Sequence, residues 1–284
     1  MSIAVFDIGG SAIKFGLWKN NQLEHLGKFV TPETFEKMLE DMKNTLTSFE
    51  KVDGIAISAP GAVNVKKRVI EGISAVPYLH QRPIFDELEA FFDLPIAIEN
   101  DANCAGICEM EIGAGKGIKQ AVFVVIGTGV GGAIFINGQI YKGAHLFGGE
   151  FGLMQNTNGQ TLSINGTAVH VAERFSKKIG QPITGKELYE KKEQGDLQAR
   201  KALFEMYENI AQSLYNIQVS IDPEMVILGG GISARPELAE ELSTRLSSLL
   251  EKENIGSIMP KIVSCQYQNN ANLIGAALNF QNSY

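Results

Sequence analysis

The sequence has no excess of positive charge and no long apolar run. Lys and Arg number 25 against 32 Asp and Glu, which gives a formal net charge of −7 at pH 7. This balance disfavours binding to a nucleic-acid backbone, and no apolar stretch reaches the ~20 residues that a transmembrane helix needs. The opening MSIAVFDIGG lacks the basic and apolar regions of a signal peptide. We therefore predict a cytoplasmic protein with no membrane and no nucleic-acid partner.

Cysteine is also scarce. Cys104, Cys108 and Cys265 are the three cysteines of the chain, and an odd, small number provides no disulfide framework and suits a reducing compartment. Cys104 and Cys108 are four residues apart on a predicted helix, but no Cys-x-x-Cys or His pair accompanies them. We interpret them as small buried hydrophobic residues rather than as metal ligands.

The composition and the periodicity indicate an α/β protein. The chain is 44% hydrophobic and 20% charged, so it can bury a full core, and predicted strands alternate with predicted helices. AVFDIGGSAIKFGLWKNNQL and QAVFVVIGTGVGGAIFINGQIY share one order of elements: strand, Gly-rich loop, strand, Asn-containing turn, strand. This repetition predicts two domains of related topology facing each other across a cleft. The alternative is that such Gly-rich hairpins are simply common.

Helices are predicted where apolar residues recur at helical spacing. TPETFEKMLEDMKNTLTSF has Thr31 as a candidate cap and Pro32 at the first helical position. The remaining candidates that matter below are PIFDELEAFF, NGTAVHVAERFSKKIG, LQARKALFEMYENIAQSLYNIQVSI, PELAEELSTRLSSLLEKE and NANLIGAALNF.

The first Gly-rich loop, DIGGSAIKFG, places Asp7 and two glycines at the exit of the N-terminal strand. Glycines let backbone amides approach a phosphate, and Asp7 could hold Mg²⁺ directly or through water because hard cations prefer oxygen ligands. Lys14 could offer its charge to a phosphoryl group if it reaches the loop. The alternative is a tight hairpin in which Asp7 is a turn residue.

Two further glycine clusters follow strands. IGTGVGG contains Gly127, Thr128 and Gly129, but a strand follows it where a dinucleotide-binding motif would have a helix, and no P-loop pattern occurs in the chain. The cluster Gly229–Gly231 lies between a buried strand and a helix, where a base or ribose could pack against the backbone. Each cluster alone could be a turn, but together they fit one bound nucleotide.

In IENDANCAG, Asp101 stands where a buried strand ends and a helix begins. Asp is a preferred N-cap residue at such a junction. The same carboxylate could instead accept a proton from a substrate. The local sequence leaves both interpretations open, and it gives Glu99 and Asn103 structural roles.

The chain resembles the ROK family of bacterial sugar kinases and repressors. DIGGSAIKFGLW, SAPGAV, IENDANCAGICEMEIGAG, IGTGVGGAIFINGQI, GAHLFGGEFGLM and ILGGGIS occur in the order and approximate spacing of that family, along nearly the whole chain. The resemblance implies a two-domain actin-like ATPase (ribonuclease H-like, hexokinase) fold and a homodimer. It also implies an N-terminal domain over 1–115, completed by a helix at 270–284, and a larger C-terminal domain over 116–269 that carries dimerisation.

The resemblance also implies an ATP-dependent kinase that transfers the γ-phosphoryl group to the 6-hydroxyl of a hexose unit, with ATP and Mg²⁺ bound. Asn100 and Asp101 match the family's sugar-binding pair, with Asp101 as general base. Gly61 approaches the sugar through its backbone, and Glu150 hydrogen-bonds sugar hydroxyls. The implied nucleotide residues are Asp7 (also the Mg²⁺ ligand, through water or directly), Gly9, Gly10 and Lys14 in the first phosphate loop, Gly127, Thr128 and Gly129 in the second, and Gly229, Gly230 and Gly231 in the adenosine loop.

The departures from the family pattern concern zinc and the sugar's reducing end. Leu153 replaces a His that ligates zinc in the family, and the segment that follows it contains no Cys, so we expect no structural zinc. His145 and His170 are interpreted as solvated or hydrogen-bonded residues. Ser163 replaces a Glu that contacts the sugar. We therefore hypothesise that the reducing end is open and that the acceptor is a β-glucoside such as cellobiose, with glucose or N-acetylmannosamine as alternatives.

Three other functions are disfavoured. A ROK repressor carries an N-terminal helix-turn-helix extension, whereas the first predicted strand begins at Ile3. A non-catalytic sugar sensor would lack the base or a phosphate loop, and both motifs are present. A relative with a non-sugar acceptor is disfavoured by ENDAN followed by GGEFG.

Overall fold

The chain folds as two units, which we call unit 1 and unit 2. The computed structural model describes residues 1–156 and 159–284. Unit 1 comprises Met1–Ile112, Gly143–Phe147 and Asn269–Tyr284, and unit 2 comprises Gly113–Lys142 and Gly148–Gln268. Among the residues that the structure describes, none of the helices is both long and apolar enough to cross a lipid bilayer.

Unit 1 is built on a mixed sheet with the strand order β3-β2-β1-β4-β7. β1 pairs antiparallel with β2 and parallel with β4, and β4 pairs parallel with β7. The carboxyl ends of β1, β4 and β7 therefore share one edge of the sheet. The elements are β1 (Ser2–Ile8), β2 (Ala12–Lys19), β3 (Gln22–Val30), α1 (Phe35–Leu46), β4 (Gly54–Ala59), β5 (Ala62–Asn64), β6 (Val69–Glu71), α2 (Ile84–Phe92), β7 (Ile96–Asn100) and α3 (Asp101–Glu111).

Unit 2 repeats this plan with the strand order β10-β9-β8-β11-β12. Antiparallel pairing joins β8, β9 and β10, and parallel pairing joins β8, β11 and β12. The predicted similarity of topology between the two halves is thus confirmed. The elements are β8 (Ala121–Ile126), β9 (Val130–Ile136), β10 (Gln139–Ile140), α4 (Leu162–Asn165), α5 (Ala168–Ile179), α6 (Gly185–Glu193), α7 (Leu197–Ile221), β11 (Met225–Gly229), α8 (Leu238–Lys252) and β12 (Lys261–Ser264).

The C-terminal helix α9 (Ala271–Ser283) belongs to unit 1, although all of unit 2 precedes it in the chain. It packs on β1, β4, β7 and α3. The ring of Phe280 fills the space beside Gly54 of β4, and the backbone of Gly275 lies directly on that of Cys104 in α3. The absence of a side chain at Gly275 is what allows two helices to approach so closely.

One predicted boundary is wrong. Helix α1 begins at Phe35, and its N-cap is Thr34, whose hydroxyl accepts a hydrogen bond from the Lys37 amide. The predicted cap, Thr31, is engaged elsewhere, because its hydroxyl donates to the carbonyl of Gly9 at 2.5 Å. A threonine that binds the first Gly-rich loop cannot also cap the following helix.

Candidate active site

The first three predicted site motifs meet at one edge of the unit 1 sheet. The loop with Gly9 and Gly10 follows β1, Gly61 follows β4, and Asn100 ends β7. Crevices outside the carboxyl ends of parallel strands are the usual ligand sites of α/β sheets. The parallel order β1-β4-β7 thus brings together segments that are far apart in the sequence.

Asp7 is a buried carboxylate with specific partners. Only 8% of the residue is exposed. Its Oδ1 accepts hydrogen bonds from the Ser58 hydroxyl at 2.7 Å and the Asn272 amide at 3.1 Å, and its Oδ2 lies 3.5 Å from the Lys14 ammonium. These partners offset the cost of burying the charge. Sequence analysis gave no role to Ser58, although it lies in the motif SAPGAV, and it missed Asn272, which belongs to none of the quoted motifs.

The surroundings of Asp7 fit a Mg²⁺ ion that arrives with a nucleotide. Within residues 1–156 and 159–284, no group of three or more His, Cys, Asp or Glu side chains could hold a metal ion on its own. Mg²⁺ characteristically binds through one or two carboxylates, substrate phosphates and water. Asp7 can supply one such carboxylate. The role predicted for Lys14 toward a phosphoryl group stays a prediction, since its ammonium is paired with Asp7.

The Asn100–Asp101 pair divides the capping and acidic roles between two side chains. Asn100 is the N-cap of α3, since its Oδ1 accepts the Asn103 amide hydrogen at 3.1 Å. Asp101 is the first helical residue, and its Oδ1 accepts from the Ala102 amide at 2.8 Å. The interpretation of Asp101 as the cap is therefore wrong. A half-buried carboxylate at a helix N-terminus is favoured in its ionised form by the helix dipole.

Asn100 also connects this helix to the predicted sugar loop. Its Nδ2 donates a hydrogen bond to the carbonyl oxygen of Gly61 at 3.1 Å. Gly61 has φ +107°, a conformation that favours glycine. Of the predicted acceptor-binding residues in unit 1, the structure thus brings Gly61, Asn100 and Asp101 together.

The buried side chains of Glu99 and Asn103 support the Asn100–Asp101 pair. Glu99 is 4% exposed, and its carboxylate accepts from the Asn100 amide at 2.8 Å and from the Asn103 side chain at 2.9 Å. The structural roles predicted for Glu99 and Asn103 agree with these bonds. Burial, followed by the charges of Glu99, Asp7 and Asp101, raises the pKa of the Cys104 thiol. Cys104 is therefore a neutral core residue, and all three cysteines are buried.

In unit 2 the second Gly-rich loop connects β8 to β9. Gly127, Thr128 and Gly129 are exposed, and the Gly127 amide donates to the Gly129 carbonyl at 2.9 Å. The backbone of Gly149, the residue before Glu150, packs on Gly132 of β9. Partial desolvation raises the pKa of Glu150 above its ordinary value.

A cavity of about 440 Å³ opens beside this loop, within the usual range for small-molecule sites. The Arg235 guanidinium stacks on the Tyr189 ring at 3.8 Å and pairs with Glu193 at 2.9 Å. Burial raises the pKa of Tyr189, whose hydroxyl is hydrogen-bonded to that of Tyr207. The cavity is lined by Ile126, Gly127, Thr128, Ala168, Val169, Gly185, Lys186, Tyr189, Gly231, Ile232 and Arg235.

The three glycines of the predicted adenosine loop serve different purposes. A side chain at Gly229 would overlap the Phe123 ring, and Gly230 combines φ +85° with close contact to the Ile126 backbone. Packing against β8 therefore requires glycine at both positions. Gly231 faces open space and lines the cavity. Sequence analysis missed Lys186, Tyr189 and Arg235 as cavity residues. The local sequence pattern near the first two is TGKE, the capping box at the start of α6.

Leu153 and Ser163 stand where the family has a zinc-ligating His and a sugar-contacting Glu. The Leu153 side chain is 60% exposed. The Ser163 hydroxyl accepts from the Val130 amide at 3.0 Å, so it supports the start of β9. His145 is exposed, and the His170 ring lies 3.0 Å from a Glu173 carboxylate oxygen. Thr157 and Asn158 of the Cys-free segment lie outside the described residues.

Comparison with known proteins assigns the chain to a family. The two related α/β units form an actin-like ATPase fold, the fold of ROK sugar kinases. The chain belongs to the ROK family, whose model matches residues 3–283.

Three relatives illustrate the similarity. A β-glucoside kinase from Listeria monocytogenes is 34% identical over 99% of this chain and 97% of its own length. An N-acetylmannosamine kinase from Vibrio vulnificus is 26% identical over 100% of this chain and 99% of its own. A ROK family protein from Streptococcus pneumoniae, solved in complex with sucrose, is 35% identical with a TM-score of 0.91, covering 100% of this chain and 99% of its own.

Proposed function

We propose that this carbohydrate kinase transfers the γ-phosphoryl group of ATP to the 6-hydroxyl of a hexose unit in a β-glucoside such as cellobiose. The observation that carries the proposal is the contact of Asn100 with Gly61 beside Asp101, at the sheet edge that also holds Asp7. Asn100 and the Gly61 backbone can bind ring hydroxyls while the neighbouring Asp101 carboxylate faces the reacting hydroxyl.

Asp101 is proposed as the general base. Phosphoryl transfer depends mainly on positioning and charge neutralisation, and one carboxylate near the attacking oxygen can orient it and accept its proton. Asp101 is half-buried at the first position of α3. One of its carboxylate oxygens accepts a hydrogen bond from the Ala102 amide. The amide of Asn100, fixed by its cap bond, is proposed to bind the acceptor beside it.

The nucleotide is proposed to occupy the unit 2 cavity. Gly231 and the stacked Arg235–Tyr189 pair provide a flat, partly apolar surface for the base, and Gly127 and Thr128 offer backbone and hydroxyl donors to phosphates. Mg²⁺, when bound with ATP, neutralises phosphate charge, and Asp7 is the proposed protein ligand or water partner. Glu150 is proposed to accept hydrogen bonds from sugar hydroxyls.

Three observations support a β-glucoside as acceptor. The Listeria relative is a β-glucoside kinase, and the Streptococcus relative was solved with sucrose, whose glucose unit is α-linked, so that complex supports an acceptor of disaccharide size and not the β linkage. In this chain Leu153 is an exposed apolar residue, and the Ser163 hydroxyl is bonded to Val130. Neither position therefore offers the charged side chain that would close off a reducing end. The second candidate is N-acetylmannosamine, supported by the Vibrio relative.

An acceptor panel tests the proposal. The protein is incubated with MgATP and cellobiose, methyl β-glucoside, glucose or N-acetylmannosamine, and ADP release is measured. We expect the highest kcat/KM with the β-glucosides and phosphorylation at the 6-hydroxyl. A preference for N-acetylmannosamine would replace the acceptor, and no turnover above background ATPase activity with any sugar would contradict the kinase proposal.

Asp101→Asn tests the base. We expect kcat to fall by at least ~10² with little change in acceptor affinity, as for loss of a general base. Asp93→Asn is a matched control, because Asp93 ends α2 in a left-handed conformation that Asn adopts equally well. Near-wild-type activity of Asp101→Asn would show that another group is the base.

A further inference from the structure

The segment Gly72–His80, between β6 and α2, contacts the predicted sugar loop and belongs to none of the motifs above. The His80 ring packs on the backbone of Gly61 so closely that a side chain at Gly61 would lie 2.8 Å from the ring carbon Cε1. Gly61 thus has Asn100 bonded to its carbonyl oxygen, and the His80 ring and the Ile70 side chain lie where a side chain of Gly61 would begin. The position of the sugar loop depends on these neighbours.

Both ring nitrogens of His80 are engaged. Nδ1 lies 3.3 Å from the carbonyl oxygen of Ile70, and Nε2 lies 2.7 Å from the Ser74 hydroxyl. A carbonyl oxygen only accepts, so we assign the proton to Nδ1, and Nε2 then accepts from Ser74. The Ser74 hydroxyl also accepts the Val76 amide hydrogen at 3.1 Å. The ring is therefore held in one orientation by the strand before it and the turn beside it.

We propose that His80 and Ser74 are positioning residues for the acceptor sugar. Ser74 fixes the His80 ring, the ring fixes the Gly61 backbone, and Gly61 receives the Asn100 amide that is proposed to bind sugar hydroxyls. Shifts of about 1 Å in a positioned site can cost up to about 10²-fold in rate. This inference rests on the proposed function, because it assigns the two residues to the acceptor half of that site.

The expected signature separates the two substrates. Removing the Ser74 hydroxyl or the His80 ring is expected to raise KM for the acceptor about fivefold to tenfold, because the Gly61 carbonyl and the Asn100 amide lose their fixed spacing. KM for MgATP should change by less than about twofold, since the nucleotide cavity is formed by unit 2 residues. A purely structural role would lower the melting temperature without this difference between the two KM values.

The experiment compares Ser74→Ala, Ser74→Thr and His80→Ala with the wild type, using the best acceptor of the panel. Ser74→Thr keeps the hydroxyl and is expected to retain a KM within about twofold of wild type. Ser48→Ala is the matched control, because the Ser48 hydroxyl donates to a carbonyl in an exposed turn after α1. If His80→Ala does not fold, the Ser74 pair still gives the comparison.

The outcomes distinguish this inference from the proposed function. An unchanged acceptor KM in Ser74→Ala, or an equal rise in both KM values, overturns the positioning role while Asp101→Asn can still establish the kinase. A wild-type protein that phosphorylates no sugar overturns both. A rise in acceptor KM for Ser74→Ala and His80→Ala, with Ser74→Thr and Ser48→Ala near wild type, supports the inference.

Discussion

At the scale of single residues, Asp7 and Asp101 occupy the same sheet edge in very different surroundings. Asp7 is buried and saturated by Ser58, Asn272 and Lys14. Asp101 is half-buried at the first position of a helix. The Asp7 carboxylate is thus fixed by three partners, whereas the Asp101 carboxylate is partly open to solvent at the start of α3.

The raised pKa of Glu150 leads to a pH prediction. Its carboxylate takes up a proton at a higher pH than an ordinary Glu, whose pKa is 4.5. In the proposed role of Glu150, a protonated carboxyl accepts hydrogen bonds from sugar hydroxyls poorly, so kcat/KM for the acceptor should fall as the pH is lowered through a value above 4.5. In Glu150→Gln, acceptor KM should be raised at neutral pH, where the wild-type carboxylate is ionised, and the acidic decline caused by Glu150 should be absent. The same midpoint in both proteins would assign the decline to another group.

Arg235 gives a prediction about the nucleotide. Arg235→Ala should raise KM for MgATP about fivefold and leave KM for the acceptor unchanged, because the stacked guanidinium is part of the cavity wall. Arg235→Lys should not restore binding, since an ammonium lacks the planar stacking surface. Arg245→Ala is the matched control: Arg245 also stacks on an aromatic ring, that of Phe204, but does not line this cavity. Equal effects of the two Ala variants would contradict the assignment.

At the scale of elements, the contact of α3 with α9 connects stability to the site. Gly275→Ala would drive a methyl group into the Cys104 backbone. We expect a loss of about 3 kcal/mol or more in the free energy of unfolding, at the upper end of overpacking effects, measured by urea denaturation. Gly256→Ala is the control, because its nearest atom is the flexible Cγ of Glu251 at 3.2 Å. A similar midpoint for both variants would show that α9 can shift at little cost.

The elements also show what the sequence can and cannot predict. α7 was predicted with its exact bounds, because its apolar spacing persists over Leu197–Ile221 and Asp196 caps it. The start of α1 was wrong because Thr31 binds Gly9. The motifs that contain Asp7, Gly61 and Asn100 lie at one edge of the unit 1 sheet in the structure. They could not locate Asn272, which reaches Asp7 across 265 positions, or His80, whose role depends on a tertiary contact with Gly61.

At the scale of the whole molecule, unit 1 is discontinuous in the chain. Residues Asn269–Tyr284 complete it after the last residue of unit 2. A chain truncated after Gln268 would lose α9 from the unit 1 core and Asn272 from Asp7. We expect such a chain to lose kinase activity and to be cleaved rapidly by protease within 1–112, while unit 2 stays protected.

Removal of Tyr284 alone is the milder comparison for this truncation, because it keeps α9 and loses only the Tyr284 hydroxyl bond to the Ile96 carbonyl and its ring contact with Phe280. Limited proteolysis followed by mass spectrometry reports the protected fragments. Protection of 1–112 in the truncated chain would mean that unit 1 folds without α9.

The dimer stays a prediction, and light scattering on the full chain checks it.

The position of α9 also has a consequence for protein synthesis. Domains generally fold in the order in which the ribosome releases them, from the N-terminus onward. Here most of unit 1 is translated first, yet its folding can be completed only after α9 has been translated, which follows the whole of unit 2. An incomplete nascent chain therefore lacks the Asn272 amide that holds Asp7 and the core contacts of Phe280. The first unit to be made is then the last to be finished, and a chain that stops before α9 lacks the contacts that complete the unit 1 core and hold Asp7.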